Sequence, residues 1–207
     1  MTLDEAMAVS PVVAIIRGVT PDEAVSIAEA IHDGGLRAVE VPLNSPDPLE
    51  SIRRIAEAFE GRMAVGAGTV LSPGEVDGVK AAGGTIIVAP NTNPAVIRRA
   101  VELGLDPAPG FSTPTEAFTA IEAGARYLKL FPAISFPPAH LKQIKAVLPP
   151  QVQVWVVGGV GPDNMAEWWA AGARGFGLGS EVYRPGQSAA ETLTKSRAAF
   201  EAAAALP

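Results

Sequence analysis

Three charged side chains interrupt apolar runs. Arg17 ends Val12–Arg17, Glu40 lies within Ala38–Pro42, and Lys129 lies within Tyr127–Phe131. A lysine among apolar groups loses solvation of its charged form, so its pKa falls and the neutral amine becomes a nucleophile toward carbonyls. The resulting Schiff base, once protonated, withdraws electrons from the neighbouring carbon–carbon bond. A nearby carboxylate can carry the protons that cleavage requires. Thr69, directly after Gly66-Ala67-Gly68, adds a hydroxyl. A lysine and a glutamate so placed are the equipment of a metal-independent, class I aldolase. A structural ion pair would use the same residues. Such a pair is costly to bury, however, and apolar residues often serve stability as well. Charges kept there therefore point to a functional site. The chain has no cysteine and only two histidines, His32 and His140. Disulfides, thiolate ligands and a cysteine nucleophile are excluded, and a multi-histidine metal site or a histidine-based triad has little to draw on. No cofactor is expected. Both histidines are expected on helix surfaces.

Glycines supply a second kind of chemistry. Gly158-Gly159 follows the run Gln153–Val157, and Gly177-Leu178-Gly179-Ser180 closes the run Gly175–Leu178. Glycines in such loops let backbone N–H groups approach a phosphate. They would also serve as plain tight turns, but both loops stand where a barrel builds its phosphate site. Gly66-Ala67-Gly68 is not a dinucleotide fingerprint, because Leu71 stands where the third glycine belongs.

These residues need elements to hold them. Eight apolar runs read as buried strands: 12–17, 38–42, 64–68, 86–89, 106–109, 127–131, 153–157 and 175–178. Helical patterns lie between them, with Ala24, Ile27, Ala28 and Ile31 on one face and Leu49, Ile52, Ala56 and Phe59 on another. Thr20-Pro21-Asp22-Glu23, Ser72-Pro73-Gly74-Glu75 and Thr113-Pro114-Thr115-Glu116 are capping boxes with proline at the first helical position. Gly34, Gly83, Gly104, Gly124 and Gly172 each close a helix, where a left-handed residue is expected. An Ala-rich helix over 188–204 ends the pattern. Eight strands alternating with eight helices predict a (β/α)8 TIM barrel; a doubly wound open sheet is the alternative. Residues 1–207 form a single domain on this reading. Strand alternation places Tyr127, Lys129 and Phe131 inside the barrel, and Leu128 and Leu130 toward the helices. Glu40 points inward by the same argument, with Val39 and Val41 outward. Trp155 packs within its strand; Trp168 and Trp169 serve packing or a subunit contact.

Composition bounds the rest. The 21 glycines and 19 prolines are a surplus, but 48% hydrophobic residues exclude disorder, so these residues must punctuate short apolar elements. A net charge of −6 without a Lys/Arg cluster argues against nucleic acid as a partner. Asp4 and Glu5 before the first apolar run do not make a signal peptide, and no run is long enough to span a membrane. The expected location is the cytoplasm.

With these residues in place, the chain resembles the KDPG/KHG aldolase family of class I aldolases along essentially its whole length. The motifs that carry the resemblance are Ile15-Ile16-Arg17-Gly18, the run from Ala38 to Pro46, Gly66-Ala67-Gly68-Thr69-Val70, Ala89-Pro90-Asn91, the run from Pro109 to Glu116, Leu128-Lys129-Leu130-Phe131-Pro132 and Gly158-Gly159-Val160. The resemblance implies a homotrimeric barrel that cleaves a 2-keto-3-deoxy-6-phospho sugar acid to pyruvate and glyceraldehyde 3-phosphate. It places Lys129 on the family's Schiff-base lysine and Glu40 on its acid/base carboxylate. Arg17 and Thr69 match contacts to the substrate's carboxylate end. Gly159, Gly179 and Ser180 match the phosphate site, and Gly158, Pro90 and Phe131 are assigned to the same substrate pocket. Members acting on the gluconate usually carry Thr-Leu-Arg after Glu-Val. This chain has Pro42-Leu43-Asn44 and then Ser45-Pro46, which is similar to the sister branch acting on 2-keto-3-deoxy-6-phosphogalactonate, the C4 epimer. The galactonate is the expected substrate and the gluconate the alternative. Asn44 is assigned to hydrogen-bond a substrate hydroxyl or carboxylate where the arginine would have clamped it. A phosphosugar isomerase or synthase, or a non-catalytic phosphosugar-binding barrel, are more distant alternatives.

Overall fold

Proline stands at the first position of six helices, where its missing N–H is not needed and its fixed φ suits the turn. In the computed structural model, which describes residues 1–207, these helices are α2 (Pro21–Asp33), α3 (Pro48–Ala58), α4 (Pro73–Ala81), α5 (Pro94–Glu102), α6 (Pro114–Glu122) and α7 (Pro138–Lys145). α1 (Leu3–Val9), α8 (Met165–Ala170) and α9 (Ala189–Ala204) complete the set. The predicted capping boxes form. Ser72 and Thr113 accept from the N–H groups of Glu75 and Glu116, whose carboxylates accept in return from the capping residues' N–H groups. At α2 the N–H of Thr20 donates to Glu23 at 3.3 Å.

Between the helices run β1 (Val12–Ile15), β2 (Ala38–Pro42), β3 (Ala64–Gly68), β4 (Ile86–Val88), β5 (Asp106–Ala108), β6 (Gly110–Phe111), β7 (Tyr127–Leu130), β8 (Gln153–Val157) and β9 (Gly175–Leu178). All pairings are parallel, in the order β5-β4-β3-β2-β1-β9-β8-β7-β6. Nine strands appear where eight were expected, because the fifth barrel strand is split at Pro109. β5 pairs with β4 and β6 with β7. Pro107 and Pro109 have no N–H to give the ladder, so its bonds are interrupted there. Pro109 still accepts from the N–H of Lys129 at 2.8 Å, which ties the two halves together. The sheet is thus a closed (β/α)8 barrel, not an open doubly wound sheet. β1, β4 and β7 stop one or two residues short of their predicted ends, leaving Arg17, Ala89 and Phe131 in the loops that follow.

The alternation holds. Val39, Val41, Leu128 and Leu130 join the core between sheet and helices. Ala38, Ala64, Ala108, Tyr127 and Trp155 fill the lower half of the barrel interior. Small residues there make room for two large rings, which tilt against each other at 5.1 Å. Gly175 has the same role: a Cβ there would fall 2.3 Å from the Trp155 ring. α1 closes this floor with Leu3, Ala6 and Met7. It is a ninth helix, outside the expected eight. Its signal was a fourth capping box, Thr2 with Glu5. The Tyr127 hydroxyl and Arg126 both donate to Asp4 on this helix.

Some local expectations need correction. Gly83, Gly104, Gly124 and Gly172 are left-handed as expected, but at the end of α2 the left-handed residue is Gly35 (φ +102), not Gly34 (φ −75). Gly34 instead admits α9, since a Cβ there would lie 2.4 Å from that of Ser196. The histidines are half-buried rather than free at the surface. His32 tilts against Phe59 at 5.7 Å, while His140 stacks on Phe136 at 4.3 Å and its Nε2 donates to the Ser112 carbonyl at 3.0 Å. Trp168 is buried in the core, and the Trp169 indole donates to the Pro207 carbonyl at 3.0 Å.

Candidate active site

Lys129 and Glu40 occupy opposite points of the ring. β2 and β7 are separated by four steps in either direction around the barrel, counting β5 and β6 as one strand. Both side chains point inward above the packed floor, and both are buried (6% and 2% exposed). One carboxylate oxygen of Glu40 has no hydrogen-bond partner in the chain. Burial pushes the Glu40 carboxyl up to about 7, against the opposing pull of Lys129 and then of Arg17. Burial likewise lowers the Lys129 ammonium, opposed by Glu40 and assisted by Arg17. A lysine that gives up its proton readily therefore faces a carboxyl poised near neutrality, which suits nucleophilic attack followed by proton transfer. The Lys129 Nζ sits 4.5 Å from the centre of the Phe131 ring, whose face favours a cation. An iminium on this nitrogen would have the same partner.

The two groups share a cavity of about 200 Å³. Arg17, Thr69, Pro90, Phe131, Gly158, Gly159, Gly179 and Ser180 also line it. The structure thus brings together every predicted site residue except one. Asn44 does not line the cavity. Its side-chain carbonyl accepts from Arg17, so it holds the arginine at the rim. The Ser45 hydroxyl accepts from the N–H of Gly18 at 2.9 Å and ties the same two loops. A larger groove of about 660 Å³ lies at the opposite end, among α1, α8 and α9. Its charged side chains, Asp4 and Arg174, are exposed, and it holds no buried lysine or carboxylate like those at the barrel mouth.

Local backbone shapes this cavity. Thr69 has φ +58, a left-handed conformation that costs a β-branched residue about 1–3 kcal/mol. It leaves the end of β3 and turns over the barrel mouth. Gly158 (φ +91) and Gly159 (φ +79) make the corresponding turn after β8. The backbone N–H groups of Gly159, Gly179 and Ser180 find no acceptor within the chain. Three free donors on converging loops suit a bound anion. Ile15, Val157 and Glu181 also line the cavity and were not anticipated. The two apolar residues carry no signal of their own. Glu181 did, as an acid directly after Gly-Leu-Gly-Ser in a chain sparing of charge.

Gly68 lies directly beside the Glu40 carboxylate. A Cβ on residue 68 would stand 1.8 Å from Oε2 and 2.4 Å from Cδ. Gly68→Ala is therefore expected to push the carboxylate out of register, lowering kcat about 100-fold. Borohydride trapping of pyruvate on Lys129 should persist in this variant. A kcat close to wild type would show that the carboxylate's placement does not depend on Gly68.

A family model described as KDPG and KHG aldolase matches residues 3–195. The chain belongs to that family. It is an aldolase, a carbon–carbon lyase, which removes the isomerase and the non-catalytic readings. It is 50% identical over 192 residues to the 2-dehydro-3-deoxy-6-phosphogalactonate aldolase of Escherichia coli K12, covering 93% of this chain and 94% of that one. To a 2-dehydro-3-deoxy-phosphogluconate aldolase of Pseudomonas aeruginosa it is 34% identical over 145 residues, 70% of this chain and 65% of that one. A solved structure described as native KDPGal superposes with a TM-score of 0.91 at 49% identity, covering 93% of both chains. In this aldolase the predicted lysine and glutamate fall at the mouth of the barrel, at the C-terminal side of the strands where such enzymes place their chemistry.

Proposed function

We propose that this aldolase cleaves 2-dehydro-3-deoxy-6-phosphogalactonate to pyruvate and glyceraldehyde 3-phosphate through a Schiff base on Lys129. The observation that carries the mechanism is the pair Lys129 and Glu40, buried across one cavity whose far rim offers unpartnered N–H groups. Neutral Lys129 attacks the C2 ketone, and the carbinolamine loses water to give an iminium. Glu40, directly or through a water, takes the C4 hydroxyl proton. The C4 oxygen becomes a carbonyl as the C3–C4 bond breaks, and the electron pair passes to the iminium, forming an enamine. Glyceraldehyde 3-phosphate leaves. Glu40 returns its proton to C3, and water hydrolyses the pyruvate iminium, freeing the amine. Arg17 and Thr69 are assigned to the substrate carboxylate, Pro90 and Phe131 to the walls, and Gly158, Gly159, Gly179 and Ser180 to the phosphate.

The galactonate epimer is favoured over the gluconate by the higher identity to the galactonate aldolase. Pro42-Leu43-Asn44 in place of Thr-Leu-Arg supports the same choice. The role of Asn44 is revised accordingly: it acts on substrate through Arg17, as a positioning residue. Pyruvate release from the two epimers, measured side by side with a lactate dehydrogenase couple, tests the assignment. A higher kcat/KM for the galactonate is the expected result; a preference for the gluconate would reverse it. We also read the assembly as a homotrimer acting in the cytoplasm. The family resemblance supports the first point, as does similarity to a cage designed by fusing symmetric oligomeric domains. No helix is long and apolar enough to cross a membrane, which is compatible with the second.

A further inference from the structure

The loops after β8 and β9 bring no cation of their own to the cavity. Arg17 and Lys129 approach from other strands, and the loops after β8 and β9 contribute glycines, Ser180 and a carboxylate, Glu181. The Ser180 hydroxyl donates to this carboxylate at 2.9 Å. A carboxylate only accepts, and a serine has one proton to give. With that proton held by Glu181, the hydroxyl meets an incoming phosphate with lone pairs alone. The carboxylate adds like-charge repulsion, which a small cavity screens less than bulk water does. A site that grips phosphate with three backbone N–H groups is thus opposed from within by one of its own lining residues.

We propose that Glu181 limits the affinity of this end of the site for phosphate, so that the phosphorylated aldehyde is released rather than retained. The proposal rests on the aldolase reading above and adds a determinant of specificity to it. Glu181→Gln removes the charge and keeps the shape. It is expected to lower the KM for the phosphorylated substrate about tenfold, and to make inorganic phosphate a competitive inhibitor about tenfold stronger. Selectivity over the unphosphorylated 2-keto-3-deoxy sugar acid should rise by the same factor. Glu181→Asp keeps the charge and should show no such gain. Ser180→Ala should weaken phosphate binding more in a Glu181→Ala background than in the wild type, because there the hydroxyl proton has no side-chain acceptor at position 181. Phosphate inhibition no stronger in Glu181→Gln than in the wild type would overturn the proposal, as would an equal gain in Glu181→Asp. Calorimetric titration with inorganic phosphate reads the same affinities without turnover. A wild type that releases no pyruvate from either epimer would overturn the function above, while this titration would still judge Glu181.

Discussion

Lys129→Ala is expected to end pyruvate release, with a loss of about 10⁴-fold or more in kcat/KM. The covalent route needs a neutral amine inside the barrel, and Lys129 is the only lysine among the buried residues. Truncation leaves Glu40 without its main opposing charge, so the carboxyl should stay protonated to higher pH and be a poorer base as well. Folding should survive, because the packed floor below Lys129 is built from other residues. The measurement pairs the coupled assay with borohydride reduction in the presence of pyruvate. Wild type should gain one reduced pyruvate on Lys129, and the variant none. An unmodified Lys129 in an active wild-type sample would rule out the Schiff-base mechanism.

Glu40→Gln separates the second half of the chemistry from the first. Attack by Lys129 does not need the carboxylate, so trapping should persist. Proton transfer to and from the substrate does need it, and turnover should fall about 10²- to 10⁴-fold. The pH profile sharpens the test. Burial raises the Glu40 carboxyl to about 7, so below that pH the group holds a proton and cannot accept one from the C4 hydroxyl. Wild-type kcat/KM for cleavage should therefore rise with pH through about 7, the value belonging to the coupled pair rather than to Glu40 alone. In Glu40→Gln that inflection should vanish. Equal turnover, or an unchanged inflection, would take Glu40 out of the proton-transfer role.

Much of this was readable from local signals. Capping boxes, proline at first helical positions and closing glycines act within a few residues of themselves, so they placed the helices closely. Buried strands announced themselves as apolar runs, and the alternation required a charge inside such a run to point into the barrel. What escaped depends on distant partners. Asn44 was assigned to the substrate because nothing in its neighbourhood reveals that Arg17, 27 residues earlier, takes its carbonyl. The split at Pro109 follows from which neighbours each half must bond. α1 is only seven residues long, and its amphipathic face has meaning only against the inside of a finished barrel. Gly34 was expected to be the left-handed cap of α2; that conformation falls on Gly35 instead, and Gly34 makes room for Ser196, a partner 162 residues away.

The helix that closes the barrel floor has a consequence for biosynthesis. Seven residues do not sustain a helix alone in water. The large rings that complete the packing of α1 lie far along the chain: Tyr127 is 123 residues beyond Asp4, and Trp155 later still. A ribosome adding about 5–20 residues per second needs on the order of ten seconds to cover that distance. Throughout that interval Leu3, Ala6 and Met7 lack the two rings that complete their groove. This segment, made before the strands it packs against, is thus among the last to become secure, and ring closure is the event that secures it.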